Sequence, residues 1–125
     1  MNTKEDILIH DNINWFGRSK TIIYKGGLGV VELLYDNHTP LEARMNRLLV
    51  HPSVRGTGIG MELLKLAEET AQEDGKTVLS VFADRSKPEI TVWYSQSGFT
   101  VIETTEHVYR MIKNIKQRFD ENETE

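Results

Sequence analysis

The chain has 125 residues, 38% hydrophobic and 27% charged, values that fit one globular domain around a single core. It has no cysteine, which excludes disulfides, thiolate metal sites and a cysteine nucleophile. Its histidines (His10, His38, His51, His107) are scattered without a His-x-x-x-His pair, so no metal centre is expected. A net charge of −4 without a basic stripe argues against a nucleic-acid partner. No apolar run is long enough to cross a bilayer, and the polar start Met1-Asn2-Thr3-Lys4-Glu5-Asp6 lacks the apolar stretch of a signal peptide. The expectation is a cytoplasmic chain with no membrane partner.

Ile7-Leu8-Ile9 reads as a short strand, followed by a connection through Asn12, Asn14 and Gly17. From Thr21 the pattern is clearer. Residues 21–25 are β-branched and aromatic, Gly26-Gly27 marks a turn, and residues 28–35 form the next strand. Asp36-Asn37-His38-Thr39-Pro40 is a loop of turn formers. In residues 41–50, Leu41, Ala43 and Met45 alternate with Glu42, Arg44 and Asn46, the period of a strand with one wetter face. Short turns between consecutive strands imply an antiparallel meander.

A helix follows the glycines at 56–60. Ile59, Leu63, Leu64, Ala67 and Ala71 recur at helical spacing, opposite Glu62, Lys65, Glu69 and Glu73, and Gly75 is placed to stop the helix. Residues 78–83 are nearly all apolar, as in a strand buried on both faces. Strand, helix and buried strand make a βαβ unit with a right-handed crossover. Pro88 starts a second helix that Gly98 ends, and residues 99–103 and 107–115 form a closing hairpin. One domain is therefore expected over residues 1–115, with a charged tail over 116–125.

The chemistry concentrates in Val50-His51-Pro52-Ser53-Val54-Arg55-Gly56-Thr57-Gly58-Ile59-Gly60, between a strand and a helix. The first amides of a helix have no intrahelical partner, and the helix dipole adds positive charge beside them. Glycines remove the Cβ atoms that would keep a phosphate away. The Walker loop ends in Gly-Lys-Ser/Thr, whereas Gly60 is followed by Met61-Glu62. The dinucleotide fingerprint is G-x-G-x-x-G after an opening parallel strand, and here G-x-G-x-G follows a meander. A ligand-free turn would bear roughly 1 kcal/mol per glycine inside a helix start relative to alanine. Binding of a pyrophosphate is the better reading.

Val50-x-Pro52-x-x-Arg55-Gly56-x-Gly58-Ile59-Gly60 resembles the acetyl-CoA signature of the GNAT superfamily of N-acetyltransferases. Val92-Trp93-Tyr94-Ser95-Gln96-Ser97-Gly98-Phe99 resembles that family's second signature, a helical Tyr followed by Gly-Phe opening the next strand. The resemblance covers residues 21–115. It implies an α+β fold in three layers: a mixed, mostly antiparallel sheet, a splayed parallel pair around the cofactor helix, and helices on both faces. It further implies that Arg55, Gly56, Thr57, Gly58, Ile59 and Gly60 hold the pyrophosphate of acetyl-CoA, the acyl donor. Leu48, Leu49 and Val50 would offer backbone groups to the pantetheine arm. Tyr94 matches the usual general acid, and Glu42, or else Glu32 on the neighbouring strand, would be the base. Trp93 reads as a core residue.

The resemblance implies transfer of an acetyl group to a primary amine, on a small molecule or a protein. The alternative is an inactive acyl-CoA-binding module with a regulatory or interaction role. Relatives spend several dozen residues on a strand and two helices before the meander, and those helices form one wall of the acceptor site. Here that wall is expected to be missing or reduced to a loop around Trp15 and Phe16, with the site completed by a second subunit in a homodimer or left open to a large acceptor.

Overall fold

The computed structural model describes residues 6–15 and 17–115, so Phe16 and the tail expected over 116–125 lie outside the described residues. The elements run β1 (Ile7–Asn14), β2 (Gly17–Tyr24), β3 (Gly29–Asp36), β4 (Glu42–Val50), α1 (Ile59–Glu73), β5 (Val78–Asp84), α2 (Pro88–Gln96), β6 (Thr100–Thr104) and β7 (Val108–Asn114). They form a seven-stranded sheet in the order β1-β2-β3-β4-β5-β7-β6. Every neighbouring pair is antiparallel except β4 and β5.

Alternation decides which face is buried. Val31, Leu33 and Tyr35 of β3, Ala43 and Met45 of β4, and Leu79, Val81 and Ala83 of β5 all point inward. They meet the α1 stripe of Leu63, Leu64, Ala67, Thr70 and Ala71, which is buried along its length. Burying each Leu or Ile side chain stabilises the fold by about 1.5–3 kcal/mol, so this seam is what holds α1 in place. The helix ends as its glycine requires. Gly75 N–H donates to the Gln72 carbonyl and Lys76 N–H to that of Ala71, the paired bonds of a Schellman motif.

The sheet is mixed as expected, but the helices occupy one face, not two. The connections β4-α1-β5 and β5-α2-β6 both join parallel strands and both step in the same direction across the sheet. Right-handed crossovers stepping the same way must place their helices on the same side. Side chains agree. Lys113, on the inward face opposite Leu79, reaches Glu68 of α1 at 2.8 Å, and its aliphatic stem lies beside Gly98 at the end of α2. Phe82, which faces the other way, is 49% exposed. Among the described residues no helix covers that second face, giving two layers where three were expected.

The N-terminal segment also differs from expectation. β1 continues to Asn14 and β2 begins at Gly17, not Thr21, in an unbroken hairpin from Ile7↔Tyr24 to Asn14↔Gly17. Asp11 and Arg18 form an ion pair across it. A long hairpin, with Trp15 at its tip, therefore stands where only a short strand and a loop were expected. Between β3 and β4 the register shifts, Met45 facing Leu33 and Arg47 facing Glu32, so that Asn46 is an extra, bulged residue.

Gly17 seats β2 against β3. A Cβ there would lie 1.9 Å from the Tyr35 carbonyl oxygen, a backbone atom that cannot rotate away. Gly17→Ala is expected to destabilise the protein by at least about 2 kcal/mol, read as a lower urea midpoint. A midpoint equal to that of the parent chain would show that β2 does not approach β3 this closely.

Candidate functional site

Among the described residues, no group satisfies the free amides at the α1 N-terminus. Its N-cap is Gly58, in the left-handed conformation (φ 89°), and no side chain caps it. No acceptor among the described residues is paired with the amides of residues 56–61; the first bond at this end runs from Glu62 N–H to the Gly58 carbonyl. Ser, Thr, Asp or Asn at an N-cap would contribute about 1 kcal/mol, and this sequence forgoes it. The nearby hydroxyl of Thr57 turns back to the Val54 carbonyl. The result is a row of unclaimed N–H donors at the positive end of a helix dipole.

These amides open into a cleft of about 620 Å³ between α1, α2 and the end of β4. Leu48, Leu49, Val50, Arg55, Gly56, Gly58, Ile59, Gly60 and Tyr94 all line it, whereas Thr57 and Glu42 do not. The cleft exists because β4 and β5 part: their pairing runs from Glu42↔Val78 to Met45↔Val81 and stops, where the bulge at Asn46 bends β4 away. Beyond it, the edge of β4 that faced β5 has no partner strand among the described residues. Arg55 Nε donates to the Val50 carbonyl at 3.3 Å, tying the loop to the strand end.

Trp93, Ile90, Glu89, Met61 and Val54 also line the cleft and were not assigned to the site from the sequence. Trp93 does pack against the core, as expected, yet it is only half-buried and forms the wall facing α1. A Cβ on Gly60 would sit 3.5 Å from its ring. The signal was available: Ile90, Trp93, Tyr94 and Ser97 fall at i, i+3, i+4 and i+7, one stripe of a helix.

Tyr94 is held by the end of its own helix. Phe99 N–H donates to the Tyr94 carbonyl at 3.0 Å and Gly98 N–H to that of Ser95 at 3.2 Å, a second Schellman motif. The apolar contact that accompanies such a motif is the Tyr94–Phe99 pair itself, edge to face with centroids 5.2 Å apart. The Tyr…Gly-Phe spacing seen in the sequence is thus a helix stop that locks the tyrosine ring. Burial raises the Tyr94 pKa above the ordinary tyrosine value, so its hydroxyl keeps its proton at neutral pH.

The carboxylates named from the sequence lie on the uncovered face. Glu42 is fully engaged: Oε2 accepts from the Ser80 hydroxyl at 2.6 Å and Oε1 from Arg110 at 2.9 Å. Glu32 accepts from Asn46, the bulged residue, through Oε1 at 2.8 Å, and its second oxygen has no partner among the described residues. No group of three or more His, Asp or Glu that could hold a metal stands together among the described residues.

A family model described as "Acetyltransferase (GNAT) domain" matches residues 12–101. Solved structures share the fold at low identity. PaiA N-acetyltransferase from Thermoplasma acidophilum, solved with coenzyme A, is 23% identical with a TM-score of 0.66, over 77% of this chain and 59% of its own. Nourseothricin acetyltransferase is 18% identical with a TM-score of 0.65, over 89% and 85%. A spermidine N-acetyltransferase chimera of Vibrio cholerae SpeG and hSSAT is 17% identical with a TM-score of 0.67, over 77% and 69%. The chain thus spans less than two thirds of PaiA. No curated protein matches the sequence closely.

Two glycines separate conformation from space. At Gly58 a Cβ would meet nothing within 4 Å, but the left-handed backbone makes Gly58→Ala cost about 1–2 kcal/mol. At Gly60, inside the helix, Ala would make ordinary contact with Trp93, and Gly60→Ala should be neutral or up to about 1 kcal/mol stabilising. Denaturant titration of both variants checks this; equal destabilisation would contradict the assigned backbone.

Proposed function

This chain belongs to the GNAT acetyltransferase family, and from that premise we propose that it binds acetyl-CoA in the α1–α2 cleft and transfers the acetyl group to a primary amine. The observation that carries the reading is the row of unpartnered amides over residues 56–61 at the mouth of a cleft with a protonated tyrosine on its wall. Arg55, Gly56, Thr57, Gly58, Ile59 and Gly60 supply the pyrophosphate cradle, mainly through backbone N–H groups. The free edge of β4 at Leu48, Leu49 and Val50 pairs with the pantetheine amides as an added strand would.

In this mechanism the neutral amine attacks the thioester carbonyl. The C–N bond forms, an amide N–H of β4 beyond the bulge stabilises the oxyanion, and the C–S bond breaks. Tyr94 gives its proton to the departing thiolate, and the proton that the nitrogen sheds on becoming an amide restores the tyrosine. An amine arriving as an ammonium must first lose a proton. Glu42, the residue first named for that task, has both oxygens occupied, and its proposed role is to hold Arg110 in place. Glu32, with one oxygen uncommitted beside the bulge, is the better base. The spermidine enzyme among the structural relatives supports an amine acceptor.

Acetyl-CoA at 100 times its Kd should stabilise the protein by about 2.7 kcal/mol through mass action, raising Tm. With labelled acetyl-CoA, label should pass to amines. Tyr94→Phe should then lower kcat by about 100-fold with little change in Tm shift; an unchanged kcat would reject the acid role. Binding without transfer to any amine would identify an acyl-CoA-binding module instead.

The pH dependence follows from the raised Tyr94 pKa. The acid form is present at neutral pH and is lost only above about pH 10, the ordinary tyrosine value. Turnover should therefore rise with pH as the amine loses its proton, and show no falling limb below about pH 10. A fall between pH 7 and 9 with intact binding would contradict Tyr94 as the acid.

A further inference from the structure

The uncovered face of the sheet carries a cation with no counterion among the described residues. Arg44 stands on β4 one residue before the last β4–β5 pair, and its guanidinium lies over the Phe82 ring, 5.4 Å from the centroid. Phe82 is the first β5 residue past that pair, so the guanidinium reaches toward the opening between the strands. Arg44 has no carboxylate within salt-bridge distance among the described residues.

The surrounding carboxylates each accept from a group other than Arg44. Glu42 is bound by Arg110 and Ser80, and Glu32 by Asn46. Asp36 accepts from the His38 amide, and Asp84 from the amide and hydroxyl of Ser86. Leu34, Asp36, Thr39, Glu42, Arg44 and Arg110 enclose a hollow of about 150 Å³ on this face. The Glu42–Arg110 pair stiffens one wall, and Arg44 is the cation of this hollow with no carboxylate partner among the described residues. A planar guanidinium stacked on an aromatic ring keeps its edge donors free for a bidentate anion.

We propose that Arg44 binds a carboxylate on the acceptor, so that the acceptor class is amines that also carry a carboxylate, such as amino acids and related ω-amino acids. This rests on the acetyl-transfer reading above and deepens it. The attacking nitrogen enters the β4–β5 opening while the carboxylate lies back along β4 over Arg44. Strand rise of about 3.3 Å per residue puts the Arg44 backbone about 13 Å from that of Leu48. The forward reach of the side chain over Phe82 shortens that span. A polyamine fits this face poorly, because its second ammonium would meet Arg44.

The test compares paired acceptors that differ only in the carboxylate: β-alanine with ethylamine, and γ-aminobutyrate with propylamine, with putrescine as the dication. The carboxylate-bearing member should have the higher kcat/KM by about 10- to 100-fold, mostly through KM, as expected for one charge-assisted hydrogen-bonded pair. Arg44→Gln should collapse that ratio toward one, and Arg44→Lys should retain part of it. A ratio near one in the parent protein, or a ratio that Arg44→Gln leaves intact, overturns the proposal.

If no acceptor is acetylated although acetyl-CoA binds, the transfer reading fails by itself. The same pairs titrated into the CoA-loaded protein by calorimetry then decide the subsite. Tighter binding of the carboxylate-bearing member, lost in Arg44→Gln, supports it; equal affinities overturn it.

Discussion

The fold turns on an uncapped helix end. Residues 56–61 keep their amides unpaired among the described residues, and α1 tolerates this because Leu63, Leu64, Ala67 and Ala71 fix its far side in the core. A capping side chain would stabilise the isolated helix and block the cleft with its own oxygen. Glycine does neither. The parting of β4 from β5 after Met45 supplies the room, and the bulge at Asn46 turns the strand at that point. Helix end, splay and bulge are thus one constraint: each makes backbone polar groups available to something other than protein.

Much of this was legible because it depends on local patterns. The α1 stripe, the α2 boundaries at Pro88 and Gly98, and the alternation of β3 and β4 follow from periods that tertiary context did not override. The two signatures were legible because each is a physical device, one a glycine-lined helix start, the other a Schellman stop that orients Tyr94. Nine residues named from the sequence converge on the cleft.

The illegible parts have equally physical causes. Arg18-Ser19-Lys20 carries no strand period, yet ion pairs hold it in β2: Arg18 with Asp11 of β1, and Lys20 with Asp74 at the end of α1 at 2.7 Å. Such pairs join residues far apart in sequence and leave no period behind. The shared face of α1 and α2 was derivable, since strand order and crossover handedness dictate it, but only once β7 was known to insert between β5 and β6. The engagement of Glu42 by Arg110 joins positions 68 residues apart and had no signal at all.

The two sides of the sheet therefore stand differently. The helix side has unpaired amides and a buried tyrosine around one cleft; the other side, among the described residues, has charge but no covering helix. The proposed cradle is tested most directly by following the backbone amides of Gly56, Gly58 and Gly60 by ¹H–¹⁵N NMR during titration with coenzyme A. The account predicts that these glycine signals move first and furthest, and that the 3′-phosphate-free analogue moves them as well, because it keeps the pyrophosphate. Binding that leaves the three glycine amides in place and shifts residues elsewhere would contradict it.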